Sequence, residues 1–334
     1  MKTLAITGAT GFVGRSLVDY FMARGYRVLA FGRRAQGPRP DVAYRAWDIV
    51  RGPLRITEPV DAVIHCAAAV TEWGTFAALY PTNVTGTRHV LASFRDAGQF
   101  IQISSASVYD PLGAKHFIRE ETPYPARYLN AYGQTKMLAE RVVRAAPNLN
   151  RTILRPHIIY GPGDTTLLPR LLKARRHGRF LVLGDGRNTL SLTYILNLAA
   201  ALELLVQRPH DRRIFNITDQ RVATVDEILR AFLQTMGYRE RVLHINRRLA
   251  HGAATCLEGI YRVARRRTPP LITPYVVAQM TLDFTLDISK ARRLLGYCPA
   301  YDYLDGFRAI QAAMRGRHPG PGGAPSDSGA YGRH

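Results

Sequence analysis

Near the amino terminus, Thr7-Gly8-Ala9-Thr10-Gly11-Phe12-Val13-Gly14 lies between an apolar run, Leu4-Ala5-Ile6, and a helix-like pattern over Phe12–Ala23. A strand that passes through a tight glycine turn into a helix offers backbone N–H groups and a helix amino terminus to a pyrophosphate. The three glycines divide the work. Gly8 supports a turn with positive φ, Gly11 leaves no side chain against the phosphates, and Gly14 lets the helix approach the sheet. The turn predicts dinucleotide binding, with Thr10, Phe12 and Val13 as further contacts.

The rest of the chain alternates in a way that suits such a turn. Residues 27–31, 43–47, 61–65 and 100–103 read as strands, 76–97 has helical periodicity, and a helix begins near Asn130. Another strand is expected around 152–154. Repeated strand and helix units predict an α/β fold, a Rossmann-type doubly wound parallel sheet with right-handed crossovers. Pro156, Gly161, Pro162 and Gly163 then break the pattern and mark a passage towards a substrate-binding portion. Residues 193–206 are helical in character, Arg213–Ile217 returns a strand to the main sheet, and Val225–Met236 and Ser289–Leu295 are further helices. The expected organisation is a dinucleotide-binding domain over 1–162, rejoined by 190–222. A smaller, discontinuous C-terminal substrate-binding portion covers 163–189 and 223–315, and a Gly, Pro, Ser and Arg tail expected to be disordered covers 316–334.

Composition narrows the partners. The 334 residues carry 46 Lys and Arg against 25 Asp and Glu, a formal charge of +21, supplied mostly by arginine and spread without a nucleic-acid motif. A solvated arginine-rich face explains most of it, although Arg262, Arg265, Arg266 and Arg267 could give a weak association with anionic lipid. Cys66, Cys256 and Cys298 are far apart and lack metal-ligand spacing, as do His65, His157 and His244. No metal is expected, and the few cysteines fit a reducing cytoplasm. The first residues lead directly into a strand, so no secretory leader is expected, and no apolar run reaches membrane-spanning length.

Tyr132-Gly133-Gln134-Thr135-Lys136 is the second informative segment. Four positions apart on a helix, Tyr132 and Lys136 share a face, so an ammonium can approach the phenol and favour its ionised form. A phenol is a poor base at its ordinary pKa of about 10, which makes a positive neighbour chemically useful. Ser104-Ser105-Ala106-Ser107-Val108-Tyr109 follows a strand, at the edge where open parallel sheets place ligands, and can supply a hydroxyl to the reacting oxygen.

With these residues the chain resembles the extended short-chain dehydrogenase/reductase superfamily over about residues 3–310. That superfamily includes NAD-dependent epimerases and dehydratases and the 3-beta-hydroxysteroid dehydrogenases. His65-Cys66-Ala67-Ala68, Asn83-Val84-Thr85-Gly86-Thr87, Arg155-Pro156 and Leu295-Gly296-Tyr297 add to the likeness. The resemblance implies Ser105 as the catalytic hydroxyl with Ser107 as a second candidate, Tyr132 as acid/base, and Lys136 at the ribose. Asn83 would hold the local backbone or a water. It places Asp48 and Ile49 at the adenine, and Cys66, Ala67, Ala68, Pro156, His157 and Ile158 along the ribose and nicotinamide. Val70, Trp73, Ser107 and Tyr109 would line the substrate.

Where an acidic residue often holds the ribose of NAD, this sequence has Gly32-Arg33-Arg34, which favours NADP over NAD. Thr189-Leu190-Ser191-Leu192 stands where nucleotide-sugar enzymes commonly carry an Arg-Asp-Phe-like element. The expected reaction is therefore interconversion of a secondary alcohol and ketone on a hydrophobic steroid-like or 3-hydroxy/3-keto acid substrate. The alternative is a nucleotide-sugar epimerase or dehydratase that keeps NAD tightly bound. A homodimer through 76–97 and 131–145 is a further expectation.

Overall fold

The computed structural model describes residues 1–316 except 111, 113, 114, 148, 149, 177 and 267. The tail expected to be disordered, 316–334, apart from Gly316, and Arg267 therefore lie outside the described residues. Seven strands form the central sheet: β1 (Thr3–Thr7), β2 (Arg27–Gly32), β3 (Ala43–Ala46), β4 (Ala62–His65), β5 (Phe100–Ile103), β6 (Arg151–Pro156) and β7 (Arg213–Ile217). They run in the order β7-β6-β5-β4-β1-β2-β3, and every pairing is parallel. The strand order reverses beside β1, so the crevice at the carboxyl ends of β1 and β4 is where such a sheet admits a ligand.

Alternation of side chains across the pleat divides the interior in two. On one face Leu4 and Ile6 of β1 join Leu17 and Phe21 of the Phe12–Ala23 helix and Leu198 and Leu202 of the Ile195–Gln207 helix. On the other face Ala5 joins Leu29, Phe31, Val90, Phe94 and Val143. All five residues of β1 and all four of β4 are buried, as strands covered on both faces must be.

The helical stretch expected at 76–97 is made of Phe76–Tyr80, a π-helical turn at Pro81–Thr85, and Gly86–Ser93. The wider turn accommodates Asn83, which is buried inside it. The Tyr132 helix spans Ala131–Ala145, and its cap is Asn130, whose side-chain oxygen accepts the Gly133 N–H at 2.9 Å.

Two smaller sheets build the discontinuous C-terminal substrate-binding region. Arg179–Leu183 pairs in parallel with Arg241–Ile245. A four-stranded sheet runs Ala223–Thr224, Thr189–Leu190, Phe284–Leu286, Lys115–Ile118. The last of these comes from the segment between the serines and Tyr132, so this region borrows a strand from the first half of the chain. The helices Val225–Met236, Arg247–Val263, Pro274–Thr281, Ser289–Leu295 and Tyr303–Met314 complete it.

Candidate active site

The glycine turn has the geometry its sequence requires. Gly8 has φ +70°, and a Cβ there would come within 2.7 Å of the Ala67 nitrogen at the end of β4. A Cβ on Gly14 would lie 2.2 Å from the Gly8 carbonyl oxygen. Both glycines are therefore demanded by packing. Gly11 is not: it is exposed, and the nearest atom to a Cβ there, the Gly8 oxygen, is 3.4 Å away. Gly11 caps the helix without a side-chain hydrogen bond, which leaves the N–H groups of the first turn for a ligand. A cradle kept open where the fold itself does not need a glycine fits a dinucleotide phosphate.

A chain of hydroxyls and imidazole links this turn to the next motif. Thr7 Oγ1 lies 2.6 Å from His65 Nδ1, and His65 Nε2 lies 3.0 Å from Thr87 Oγ1, which donates to the Asn83 carbonyl at 2.7 Å. Because Thr87 has used its proton, the His65 proton belongs on Nε2 and Thr7 donates to Nδ1. Burial, aided by the Lys136 charge, pushes His65 down to about 3, so it is a neutral connector. Asn83 in turn accepts the Ala69 N–H at 2.8 Å and donates to the Ala69 carbonyl and to Thr135 Oγ1 at 3.2 and 3.0 Å. It positions the β4 loop against the Tyr132 helix. Cys66, Ala67 and Ala68 are half-buried on that loop, and burial raises the Cys66 thiol to about 12.

Ser105, Ser107, Tyr132 and Lys136 come together at the carboxyl edge of β5. Ser105 caps a 3-10 turn at Ala106–Val108. Its Oγ accepts the Ser107 N–H and donates to Ser107 Oγ, both at 3.1 Å. A Cβ at Gly133 would lie 2.3 Å from the Ser107 carbonyl oxygen, so glycine beside Tyr132 is what lets the helix close on the serine loop. Burial raises the Tyr132 phenol to about 12 and its hydrogen bond with Ser105 opposes the rise. Lys136 Nζ donates to the Ile103 carbonyl at 2.6 Å, and burial lowers it to about 8 against the pull of Glu140 and Cys66. The basic neighbour is held at the sheet edge, and desolvation governs the phenol.

Behind them lies a buried ion pair. Glu140 accepts from Arg155 Nε at 2.9 Å and Nη2 at 2.6 Å, from Ser104 Oγ at 2.5 Å and from the Tyr124 hydroxyl at 2.7 Å. Tyr109 belongs to this network and is not, as expected, at the substrate. It is 1% exposed, accepts from Arg155 Nη1 at 2.9 Å and donates to Asn216 Oδ1 at 2.8 Å, so its hydroxyl is spent inside the core.

The remaining expected contacts have varied settings. Asp48 is half-buried and accepts the Val50 N–H at 3.1 Å, and Ile49 is buried against Gly86. Pro156 ends β6. His157 is buried with Nδ1 2.8 Å from the Ser191 carbonyl, and burial lowers it to about 4. Ile158 has φ +43°, a strained conformation for a β-branched residue directly after the strand. Thr10 lies beside Gly32, and Arg33 and Arg34 are exposed. Val70 is exposed. Trp73 donates through Nε1 to the Arg266 carbonyl at 3.0 Å and meets Tyr261 edge-on, with the Arg262 guanidinium over its ring.

Two residues at this site escaped sequence reading. The Tyr275 hydroxyl lies 3.2 Å from Ser107 Oγ and accepts from Gln279 Nε2 at 2.7 Å, bringing the Pro274–Thr281 helix onto the serine loop. Thr273 followed by Pro274 is a helix-start signal that could have revealed that helix, but not its partner 168 residues earlier.

A doubly wound parallel sheet with a glycine turn at its reversal point and Ser, Tyr and Lys at the adjoining edge defines an enzyme of the short-chain dehydrogenase/reductase type. The chain belongs to the NAD dependent epimerase/dehydratase family, whose sequence pattern matches residues 4–218. It lies near the steroid-dehydrogenase and oxoalkanoate-reductase branch. It is 30% identical to a 2-alkyl-3-oxoalkanoate reductase of Stenotrophomonas maltophilia (strain K279a), over 94% of this chain and 99% of that one. Identity to the human sterol-4-alpha-carboxylate 3-dehydrogenase, decarboxylating, is 29%, covering 93% and 88%. In fold it is similar to the UDP-glucuronic acid 4-epimerase of Bacillus cereus, with TM-score 0.69, 20% identity, and 94% and 96% coverage.

These findings correct the expected preference for NADP. Seven solved structures of similar fold each hold NAD. Two exposed arginines are what the composition of a chain of charge +21 supplies, and they are no ground for preferring NADP. At the level the comparisons reach, the chain is an NAD-dependent oxidoreductase or epimerase/dehydratase acting on a small organic substrate.

Proposed function

We propose that the protein is an NAD-dependent dehydrogenase/reductase that interconverts a secondary alcohol and a ketone on a hydrophobic 3-hydroxy/3-oxo acid. Full-length likeness to an oxoalkanoate reductase supports the substrate class. The observation that carries the reading is Tyr275 set against Ser107 and near Tyr132, which would form an aromatic wall with Trp73, itself held by Tyr261 and the Arg266 carbonyl. Such a wall suits an apolar body next to a single reacting oxygen.

Gly8, Gly11 and Gly14 with the free N–H groups of the first helical turn would hold the pyrophosphate of NAD, with Lys136, Pro156, His157 and Ile158 along its nicotinamide half. Bound there, the cofactor supplies hydride exchange at the carbinol carbon. In reduction Tyr132 delivers its proton to the carbonyl oxygen while Ser105 donates a hydrogen bond to the growing negative charge. A phenol raised to about 12 holds its proton at neutral pH and is ready to give it up in this direction. In oxidation the phenol must first be ionised, and the Lys136 ammonium four residues on is the charge that would favour it.

A second reading, epimerisation or dehydration of a nucleotide sugar with NAD retained, is favoured by the family pattern and by solved neighbours in complex with UDP-sugars. Absorbance at the reduced-nicotinamide band during incubation with NADH separates the two. Stoichiometric loss of NADH with a 3-oxo acid supports the reductase. An isomerised or dehydrated nucleotide sugar with no net change in cofactor overturns it in favour of the second reading. Under either reading Tyr132→Phe is expected to lower kcat by about 100-fold or more while NAD binding persists, and undiminished turnover would remove Tyr132 from the mechanism.

A further inference from the structure

The Arg247–Val263 helix has three sides with different chemistry. One side rests on the protein through Ala250 and Ala254, which form a small cluster with Val277, and through the half-buried Leu257 and Tyr261. Leu249, Ala253, Cys256, Ile260 and Val263 recur at steps of four and three and share a second side that is exposed among the described residues. Leu249 is 72% exposed, Ile260 61% and Val263 87%, and Leu271 just beyond the helix is 61% exposed. Scattered exposed apolar residues are ordinary, but a stripe along the whole length of one helix is not.

The third side carries Arg248, His251 and Arg262, and Arg247, Arg265 and Arg266 stand at the two ends. Glu258 is the helix's one acidic residue, and it is neutralised by Arg262 at 2.6 Å. We propose that this helix is a docking surface for an anionic lipid bilayer, lying in the interface with Leu249, Ile260 and Val263 among the acyl chains and the arginines at the headgroups.

Charge complementarity selects this occupant. Arginine stems can lie along the apolar stripe while their guanidinium groups reach anionic headgroups. A second copy of the chain would bring the same arginines against one another with no acid free to meet them, so a paired helix is disfavoured. Among the described residues no helix is long and apolar enough to cross a membrane, so the contact is peripheral. The helix also holds Trp73, the residue the substrate reading assigns to the crevice wall, because Tyr261 packs on it and the Arg266 carbonyl accepts from its indole. Docking would therefore turn the Trp73 side of the crevice towards the bilayer, where a hydrophobic substrate resides. That last step rests on the substrate reading above, whereas bilayer binding itself does not.

Co-sedimentation of the full chain with vesicles of phosphatidylcholine alone, or mixed with phosphatidylglycerol, tests the proposal without any assay of activity. Binding to the mixed vesicles, weak binding to the neutral ones and loss at raised salt are expected. Ile260→Ser with Val263→Ser should reduce partitioning by about tenfold, and Arg248→Ser with Arg265→Ser by a similar factor of about ten. These side chains are exposed, so unchanged melting and NAD binding confirm intact folding. Val263→Trp gives a second readout, a blue-shifted emission on anionic vesicles. Equal binding to both vesicle types, or wild-type binding by both double variants, overturns the proposal. So does the absence of vesicle binding together with a dimer that Ile260→Ser and Val263→Ser convert to a monomer, which would assign the stripe to a second copy.

Discussion

The two sides of the crevice are held by different means. On the cofactor side, backbone meets backbone: Gly14 against the Gly8 carbonyl, Gly8 against the Ala67 nitrogen, with β1 and β4 wholly buried beneath. On the proposed substrate side, side chains reach across from distant elements: Trp73 to Arg266 and Ser107 to Tyr275. The first arrangement tolerates no added atom and recognises a ligand part that never varies. The second can change its contacts without disturbing the sheet, which is how one fold serves many substrates.

The strongest challenge to that contrast is Gly14→Ala. Its methyl group would sit 2.2 Å from the Gly8 oxygen and 2.8 Å from the Ala9 Cα, atoms that cannot move without moving the turn. A loss of about 3 kcal/mol in stability is expected, with NAD affinity falling steeply because the displaced turn is the phosphate cradle. Thermal melting with and without NAD measures both. An alanine variant with wild-type melting and affinity would show that the cofactor side is as adaptable as the other.

The same contrast decides what could be read from sequence. Gly8, Gly11 and Gly14, the strand at Arg213–Ile217, the helices Val225–Met236 and Ser289–Leu295, and the Tyr132 and Lys136 spacing are local patterns, and the structure contains each of them. Tyr275 was invisible because its meaning depends on Ser107, 168 residues away, and the Arg247–Val263 helix because only its charge run stood out. Tyr109 misled for the opposite reason. It follows the serines closely enough to suggest a shared role, yet the next turn of chain carries it into the Glu140 and Arg155 network. Arg33 and Arg34 had the right chemistry for a phosphate, but in a chain of +21 charge has little power to discriminate.

A second test uses two histidines buried beneath the proposed cofactor side. His65 lies under the cofactor turn and His157 beside the Thr189–Leu192 segment, and burial lowers them to about 3 and about 4. Both bind a proton more readily when unfolded, near 6.5, so their contribution is intact above that pH and is lost as pH falls towards the folded values. Each should withdraw about 2 kcal/mol between pH 6.5 and 5, read as a falling melting temperature. His65→Gln should flatten the slope, since glutamine can still meet Thr7 or Thr87 and does not titrate. A slope unchanged in that variant would place the acid sensitivity elsewhere.

The smallest expected effect is the most informative about the substrate side. Tyr275→Phe removes the hydroxyl that lies 3.2 Å from Ser107 Oγ and releases Gln279, but leaves the ring as part of the aromatic wall. Ser107 is already joined to Ser105 through both its N–H and its hydroxyl, so Ser105 should stay in place. A merely positional role for Tyr275 would then change KM by a few-fold, about 1 kcal/mol, with kcat nearly untouched. If kcat instead falls as far as in Tyr132→Phe, the Tyr275 hydroxyl takes part in proton movement at the substrate oxygen. The division between a fixed cofactor side and an adaptable substrate side would then have to be redrawn through the Pro274–Thr281 helix.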